Sequence, residues 1–387
     1  MKQILSKVNM VAILFMVSCF FSTTIIAAKK STKKTSSKKR AKSKSKSPIE
    51  FSARVELASL GNIFRMDDAG ELKYNSGDPD YVTSKRYDEM NALDDFVISP
   101  SVQISGPFTP GAKRPLNYSL EVAYNIYTTN TLASHPEFEL ELDKKLSKNM
   151  WISLETELSL LAFRKNYLSG DNSPDANITK DEKEYSHGIY SEFEPTLTLK
   201  IRVFEGNNKK AFSPRIDIEP FIGYHMRWFE DPFSNRDRQG ILPGVNFIFN
   251  FARKWELELG YTYGAITSPA EDELDVINNA RIIHKIDRAR TEHYFNAGIT
   301  VDLTKKIEME VAYEMRSLEY LTDNKADEGN YQRTQTRSTI EFEFEYKLKN
   351  DWRVGAGISS TTYADTNTID TSKYSQLDIL GFVQKDF

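Results

Sequence analysis

The chain has 387 residues, of which 40% are hydrophobic and 27% charged, and its mean hydropathy is -0.51. After residue 28 no run approaches the ~20 apolar residues that a spanning helix needs, which excludes helical spans there but leaves strands that alternate apolar and polar residues. The net charge of -4 hides an asymmetry: residues 1–47 carry twelve Lys or Arg and no acid, whereas residues 48–387 hold 39 basic and 55 acidic residues, a balance of -16.

In chain order, Lys2 and Lys7 form a charged start, Val11 to Ala27 is largely apolar, and Ala27 or Ala28 offers a small residue for cleavage. This pattern predicts a removable secretory signal over residues 1–28. Cys19 is the only cysteine, so no internal disulfide forms. Met16, Val17, Ser18 and Cys19 loosely resemble a lipoprotein cleavage box, but Phe20 to Ala28 stays apolar where a lipoprotein would turn polar.

Residues 29–47 hold ten basic residues, and the others are Ser, Thr or Ala. Such a segment has nothing to bury, so residues 29–50 are expected to be a basic disordered periplasmic tail. It serves either as a solvated spacer or as a contact for anionic lipid or cell-wall polymer. Nucleic acid is not an expected partner of an exported chain.

From Ser52 onward the period becomes two. Ile340, Phe342, Phe344, Tyr346 and Leu348 alternate with Glu341, Glu343, Glu345 and Lys347, a pattern that only a strand sorts onto two faces. The same rhythm sets Phe138, Leu140 and Leu142 against Glu137, Glu139 and Glu141, and Ile307, Met309, Val311 and Tyr313 against Glu308, Glu310 and Glu314. It recurs at Ile216, Ile218, Pro220, Ile222 and Tyr224.

Read this way, residues 51–387 form one all-β domain, an antiparallel transmembrane barrel of fourteen strands with twelve or sixteen as alternatives. The expected strands are 51–64, 95–106, 117–128, 136–146, 150–163, 187–203, 214–228, 240–252, 255–266, 291–304, 306–319, 334–348, 351–363 and 374–387. Links alternate between long loops (65–94, 164–186, 267–290, 320–333, 364–373), with 129–135 and 229–239 intermediate, and short turns such as Ser147-Lys148-Asn149, Arg253-Lys254 and Lys349-Asn350, with two longer links at 107–116 and 204–213. Outer-membrane barrels have long extracellular loops, short periplasmic turns and an even strand count. Trp255 and Trp352 directly follow short turns and Trp228 ends its strand, at the two heights of an aromatic girdle. Trp151 also follows a turn but is out of phase with Ile152 and Leu154. The competing architecture is a soluble β-sandwich, which alternates with its apolar face inside.

The last strand sets Leu377, Ile379, Val383 and Phe387 on one face and ends on an aromatic residue. It resembles the C-terminal signature of Gram-negative outer-membrane β-barrels of the porin-like kind, departing from it at Lys385 and Gly381. The resemblance implies an outer-membrane location among lipids, with Phe387 as the signal read by the barrel assembly machinery.

Parity also gives the face opposite the apolar one. It carries Glu56, Glu121, Glu137, Glu139, Glu141, Glu155, Glu157, Glu192 and Glu194, then Asp217, Glu219, Glu256, Glu258, Glu308, Glu310, Glu341, Glu343 and Glu345. Fewer cations stand against them: Arg54, Lys200, Arg202, Arg215, Arg227, Arg316, Arg337, Lys347 and Arg353. Carboxylates lining a water-filled lumen attract cations, so the expected function is passive, weakly cation-preferring diffusion of small solutes. The alternative is a non-conducting structural or surface-binding barrel, adhesin-like or receptor-like.

No enzyme activity, cofactor or metal is expected. The histidines are His135, His187, His225, His284 and His293, and in the nearest pairing, Ser186 and His187, neighbours on a strand point to opposite faces. Asp171, Asp175, Asn177, Asp181 and Glu182 offer oxygen ligands without the spacing of a calcium loop. The stretch before the first strand is too short and polar for a plug domain.

Overall fold

A computed structural model describes residues 49–61, 92–110, 112–168, 185–206, 214–230, 236–251, 254–268, 274–277, 280–283, 289–323, 331–366 and 371–387. The expected signal segment, the tail to residue 48, most of loop 65–94 and the acidic stretch 171–182 lie outside these residues.

Fourteen strands close into one antiparallel barrel. They are β1 (Glu50–Leu60), β2 (Asp95–Pro107), β3 (Leu116–Tyr127), β4 (His135–Lys145), β5 (Met150–Leu168), β6 (Tyr185–Glu205), β7 (Arg215–Phe229), β8 (Arg238–Phe251), β9 (Trp255–Thr267), β12 (Arg290–Asp302), β13 (Ile307–Tyr320), β14 (Thr334–Lys347), β15 (Trp352–Thr366) and β16 (Thr371–Asp386). Between β9 and β12, β10 (Leu274–Ile277) and β11 (Ala280–Ile283) pair only with each other. Consecutive barrel strands are neighbours, β9 pairs with β12, and β1 pairs with β16 to close the sheet.

The expected strand boundaries agree to within a few residues, with two informative differences. β5 runs to Leu168 and β6 starts at Tyr185, because two bulges, between Ser159 and Ala162 and between Phe163 and Asn166, carry the pairing onward where alternation fails. Leu161 sits at one of them with φ 56°, its N–H donating to Ser191 Oγ at 3.1 Å. The β10–β11 hairpin falls inside the interval read as loop 267–290, since four-residue strands are too short to show a period.

The registers align apolar residues with apolar ones around the sheet. Val55 faces Pro100 and Val383, Leu154 faces Leu142 and Leu197, Phe342 faces Val311 and Ile358. These side chains are outside: Ile340 is 57% exposed, Leu377 56% and Ile379 55%. A soluble sandwich would bury such residues, whereas among the described residues the buried hydrophobic cluster is Phe229 with Tyr190 packed against it. A continuous exposed apolar face of this size is stable only in contact with lipid, and a closed barrel leaves no unpaired edge there.

The loop lengths sort by end. Turns such as 146–149, 303–306 and 348–351 lie at the end that holds Glu50 and Phe387, with longer links at 108–115 and 206–214, and the longest connections lie at the other end. The loop expected over 364–373 is shorter than that, because β15 runs to Thr366 and β16 starts at Thr371. The β14–β15 turn closes through Leu348 N–H donating to Trp352 O at 2.8 Å, with Asn350 and Asp351 at φ 60° and 59°. Those angles are the left-handed pair a tight hairpin needs, at residue types that tolerate them.

Candidate functional site

The face opposite the lipid-facing row looks into the barrel. Strands spaced ~4.8 Å apart and tilted ~40° close, at this strand number, into a cylinder roughly 28 Å across between backbones. That lies between small barrels filled by their own side chains and wide aqueous ones, so the inward side chains decide what space remains.

On β3 to β6 the wall is acidic. Glu121 faces Glu139, Glu139 faces Glu157, and Glu157 faces Glu194, which aligns four carboxylates across four strands. One rung nearer the turns, Glu141 faces Glu155. Across the barrel, Glu308 faces Glu345 and Glu310 faces Glu343, with Glu341 one rung further along β14. Glu256 and Glu258 follow on β9, and Asn296 donates to Glu258 at 3.3 Å. Like charges placed opposite one another repel. Among the described residues no cation pairs with Glu121, Glu139, Glu155, Glu157, Glu310 or Glu343. Glu139, Glu155, Glu157 and Glu310 are also exposed, although they point inward.

At the turn side the charges are paired. Asp217 is fully buried, accepts a hydrogen bond from Arg202 Nε at 3.0 Å and has Arg215 Nε in ion-pair contact at 3.1 Å. Lys200 pairs with Glu219, Lys347 with Glu308 at 2.9 Å, and Arg353 with Glu345 at 3.6 Å. Trp151 stands here, facing inward between Lys145 and Lys200, with Lys145 Nζ and the Arg202 guanidinium each 4.8 Å from its ring. It therefore belongs to the inner wall and not to the girdle, where Trp255 and Trp352 stand 52% and 43% exposed. A cavity of about 770 Å³ opens beside it, lined by Glu141, Glu155, Lys200, Glu219 and Phe221.

The loop-side half of the interior is denser. Glu292, 4% exposed, bridges Arg290 at 2.6 Å and Arg316. Arg333 grips Asp365 through two nitrogens, one at 2.9 Å. Arg227 likewise holds Glu192, its Nε at 2.9 Å. Arg238, Arg290, Glu292, Arg333 and Asp365 were not singled out as site residues from the sequence. Their partners lie on other strands or at strand ends, where parity is ambiguous.

Glu192, Glu194 and His225 bring three ligand-type atoms within 4.8 Å of one another. Arg238 Nε donates to His225 Nε2 at 3.0 Å. An arginine N–H is always a donor, so Nε2 is unprotonated, Nδ1 carries the proton, and that N–H donates to Glu194. The imidazole thus offers no lone pair toward the carboxylates, and the cluster is an ion-pair network. His135 lies inside, near Glu137 at 3.1 Å, and His293 faces lipid against Tyr261 at 2.8 Å. The side chains of His187 and His284 lie outside the described residues.

A closed antiparallel barrel with apolar side chains outward and charged ones inward defines an outer-membrane β-barrel, and this chain is one. It matches no protein-family model and no curated protein. Among solved structures it is similar to the outer membrane channel DcaP of Acinetobacter baumannii, at 11% identity and a TM-score of 0.41 over 88% of this chain and 96% of that one. It is similar also to OmpT, an outer membrane protein of Vibrio cholerae, at 10% identity and 0.42 over 88% and 97%. A third is OccK1 (OpdK) of Pseudomonas aeruginosa, at 7% identity and 0.39 over 88% and 99%.

Proposed function

We propose that the barrel is a passive diffusion channel for small solutes with a weak preference for cations. The observation that carries this reading is the group of inward carboxylates on β4 and β5, Glu139, Glu155 and Glu157, exposed to the interior and without cation partners among the described residues. Fixed negative charge lining a water path raises the local concentration of cations and lowers that of anions, an effect screened within roughly 8–10 Å at physiological salt. The reading gives the wall no catalytic step.

Conductance of the refolded protein in planar bilayers tests it: discrete steps, with a zero-current potential of cation-selective sign across a salt gradient. Steps of anion-selective sign would overturn the preference. A bilayer without steps would favour the second reading, a non-conducting structural or binding barrel, toward which the salt-linked loop-side half around Glu292 and Asp365 points.

A further inference from the structure

Three short turns repeat one device. Leu146, Leu303 and Leu348 each continue the outward apolar row of the preceding strand and remain 40%, 50% and 45% exposed. Each is followed within three residues by lysine: Lys148, then Lys305 and Lys306, then Lys349. The described turn residues at this rim also include Lys113, Arg114 and Lys254, against a single acid, Asp351. Among the described residues, Lys148, Lys254, Lys305, Lys306 and Lys349 make no ion pair.

The height of these cations is marked by their neighbours. Lys306 Nζ lies 6.0 Å from the ring of Tyr346, and Lys385 Nζ lies 5.9 Å and 5.5 Å from the rings of Trp352 and Phe387. Tyr346 and Trp352 occupy outward positions of their strands, and Phe387, 75% exposed, packs its ring 5.9 Å from that of Phe51. Amphipathic rings such as those of Tyr346 and Trp352 sit at the level of lipid headgroups.

We propose that the periplasmic rim of the barrel is a binding surface for anionic phospholipid headgroups. The turn leucines enter the acyl boundary, and the lysines beside them reach the phosphates, as long basic side chains do at an interface. A carboxylate-bearing cell-wall polymer would also attract the lysines, but these lysines stand beside outward leucines at the membrane boundary, where headgroup phosphates are the nearest anions. The sideways placement of apolar and basic residues together selects the lipid.

The test is lipid retention. Full-length mature protein is equilibrated in micelles containing equal parts phosphatidylglycerol and phosphatidylethanolamine, then purified, and its bound lipid is quantified. The expected result is a several-fold enrichment of phosphatidylglycerol that falls with salt. It should fall, to what the basic tail over residues 29–47 retains by itself, in the Lys148, Lys254, Lys305, Lys306 and Lys349→Gln variant and recover when the same positions carry Arg. Heat-modifiable migration identifies folded variants, and Leu146, Leu303 and Leu348→Ser gives a second, charge-neutral variant in which retention should weaken. Equal lipid ratios in the wild type, or enrichment unchanged in the folded Gln variant, would overturn the proposal. So would pelleting with purified cell-wall sacculi without lipid enrichment.

Discussion

The ring of Phe382 covers the backbone of Gly355, its register partner across the β15–β16 pair, and is held from the other side by the guanidinium of Arg54, 3.9 Å from the ring centroid. A Cβ placed on Gly355 would lie 2.9 Å from Cδ1 of that ring and closer still to Cε1 and Cζ. The aromatic side chain thus fills the space that the glycine leaves, which pins the register next to the seam.

Gly355→Ala should therefore destabilise the barrel by about 1–3 kcal/mol, the usual cost of overpacking. Gly298→Ala is the control, because nothing lies within 4 Å of the added Cβ. Unfolding in urea after refolding into micelles measures both, and equal midpoints would contradict the account.

Neutralising the acidic row should weaken ion discrimination. Glu139, Glu155 and Glu157→Gln together remove three unpaired inward charges on β4 and β5, and the zero-current potential across a salt gradient should move toward zero. Acidification that protonates carboxylates should move the wild type in the same direction. A potential unmoved by the triple substitution would mean that these groups do not see the permeating ions.

Removing the acid that joins two arginines should be costly. Glu292→Gln leaves Arg290, 3% exposed, without its partner at 2.6 Å, and breaking a buried pair costs roughly 3–5 kcal/mol. The urea midpoint of Glu292→Gln should fall well below that of Glu310→Gln, whose carboxylate makes no ion pair among the described residues.

Zinc should leave the wild-type unfolding curve unchanged, because the donor hydrogen bond from Arg238 keeps the proton on Nδ1 of His225. Arg238→Gln frees that nitrogen, and with Glu192 and Glu194 nearby the variant should gain zinc-dependent stabilisation. A stabilisation in the wild type would show that the tautomer argument is wrong.

Most of the architecture was legible because each strand declares its own two faces. Residues 340–348 give β14 and the inward position of Glu343 without any knowledge of neighbours. That Glu343 faces Glu310, or that Glu157 stands between Glu139 and Glu194, depends on register, which no single strand encodes. Trp151 was ambiguous for a local reason: it begins its strand, and its phase conflicts with the girdle expected after a turn. The ion-pair collar was hidden because Glu292 with Arg316, and Arg333 with Asp365, meet across strands 24 or more residues apart. The bulge at Leu161 was hidden because a run of apolar residues has no period to break.

The closing pair joins the first strand to the last, from Ser52 with Asp386 to Ser59 with Ile379. Until β16 is in place, β1 presents a row of unpaired amide and carbonyl groups, each costing several kcal/mol in hydrocarbon. No N-terminal portion of the barrel is then a stable resident of the bilayer, however long it grows. Insertion has to wait for the final residues of the chain, so synthesis and membrane assembly are separated in time. A truncation of the last strand should abolish the inserted state as a whole and not leave a smaller barrel.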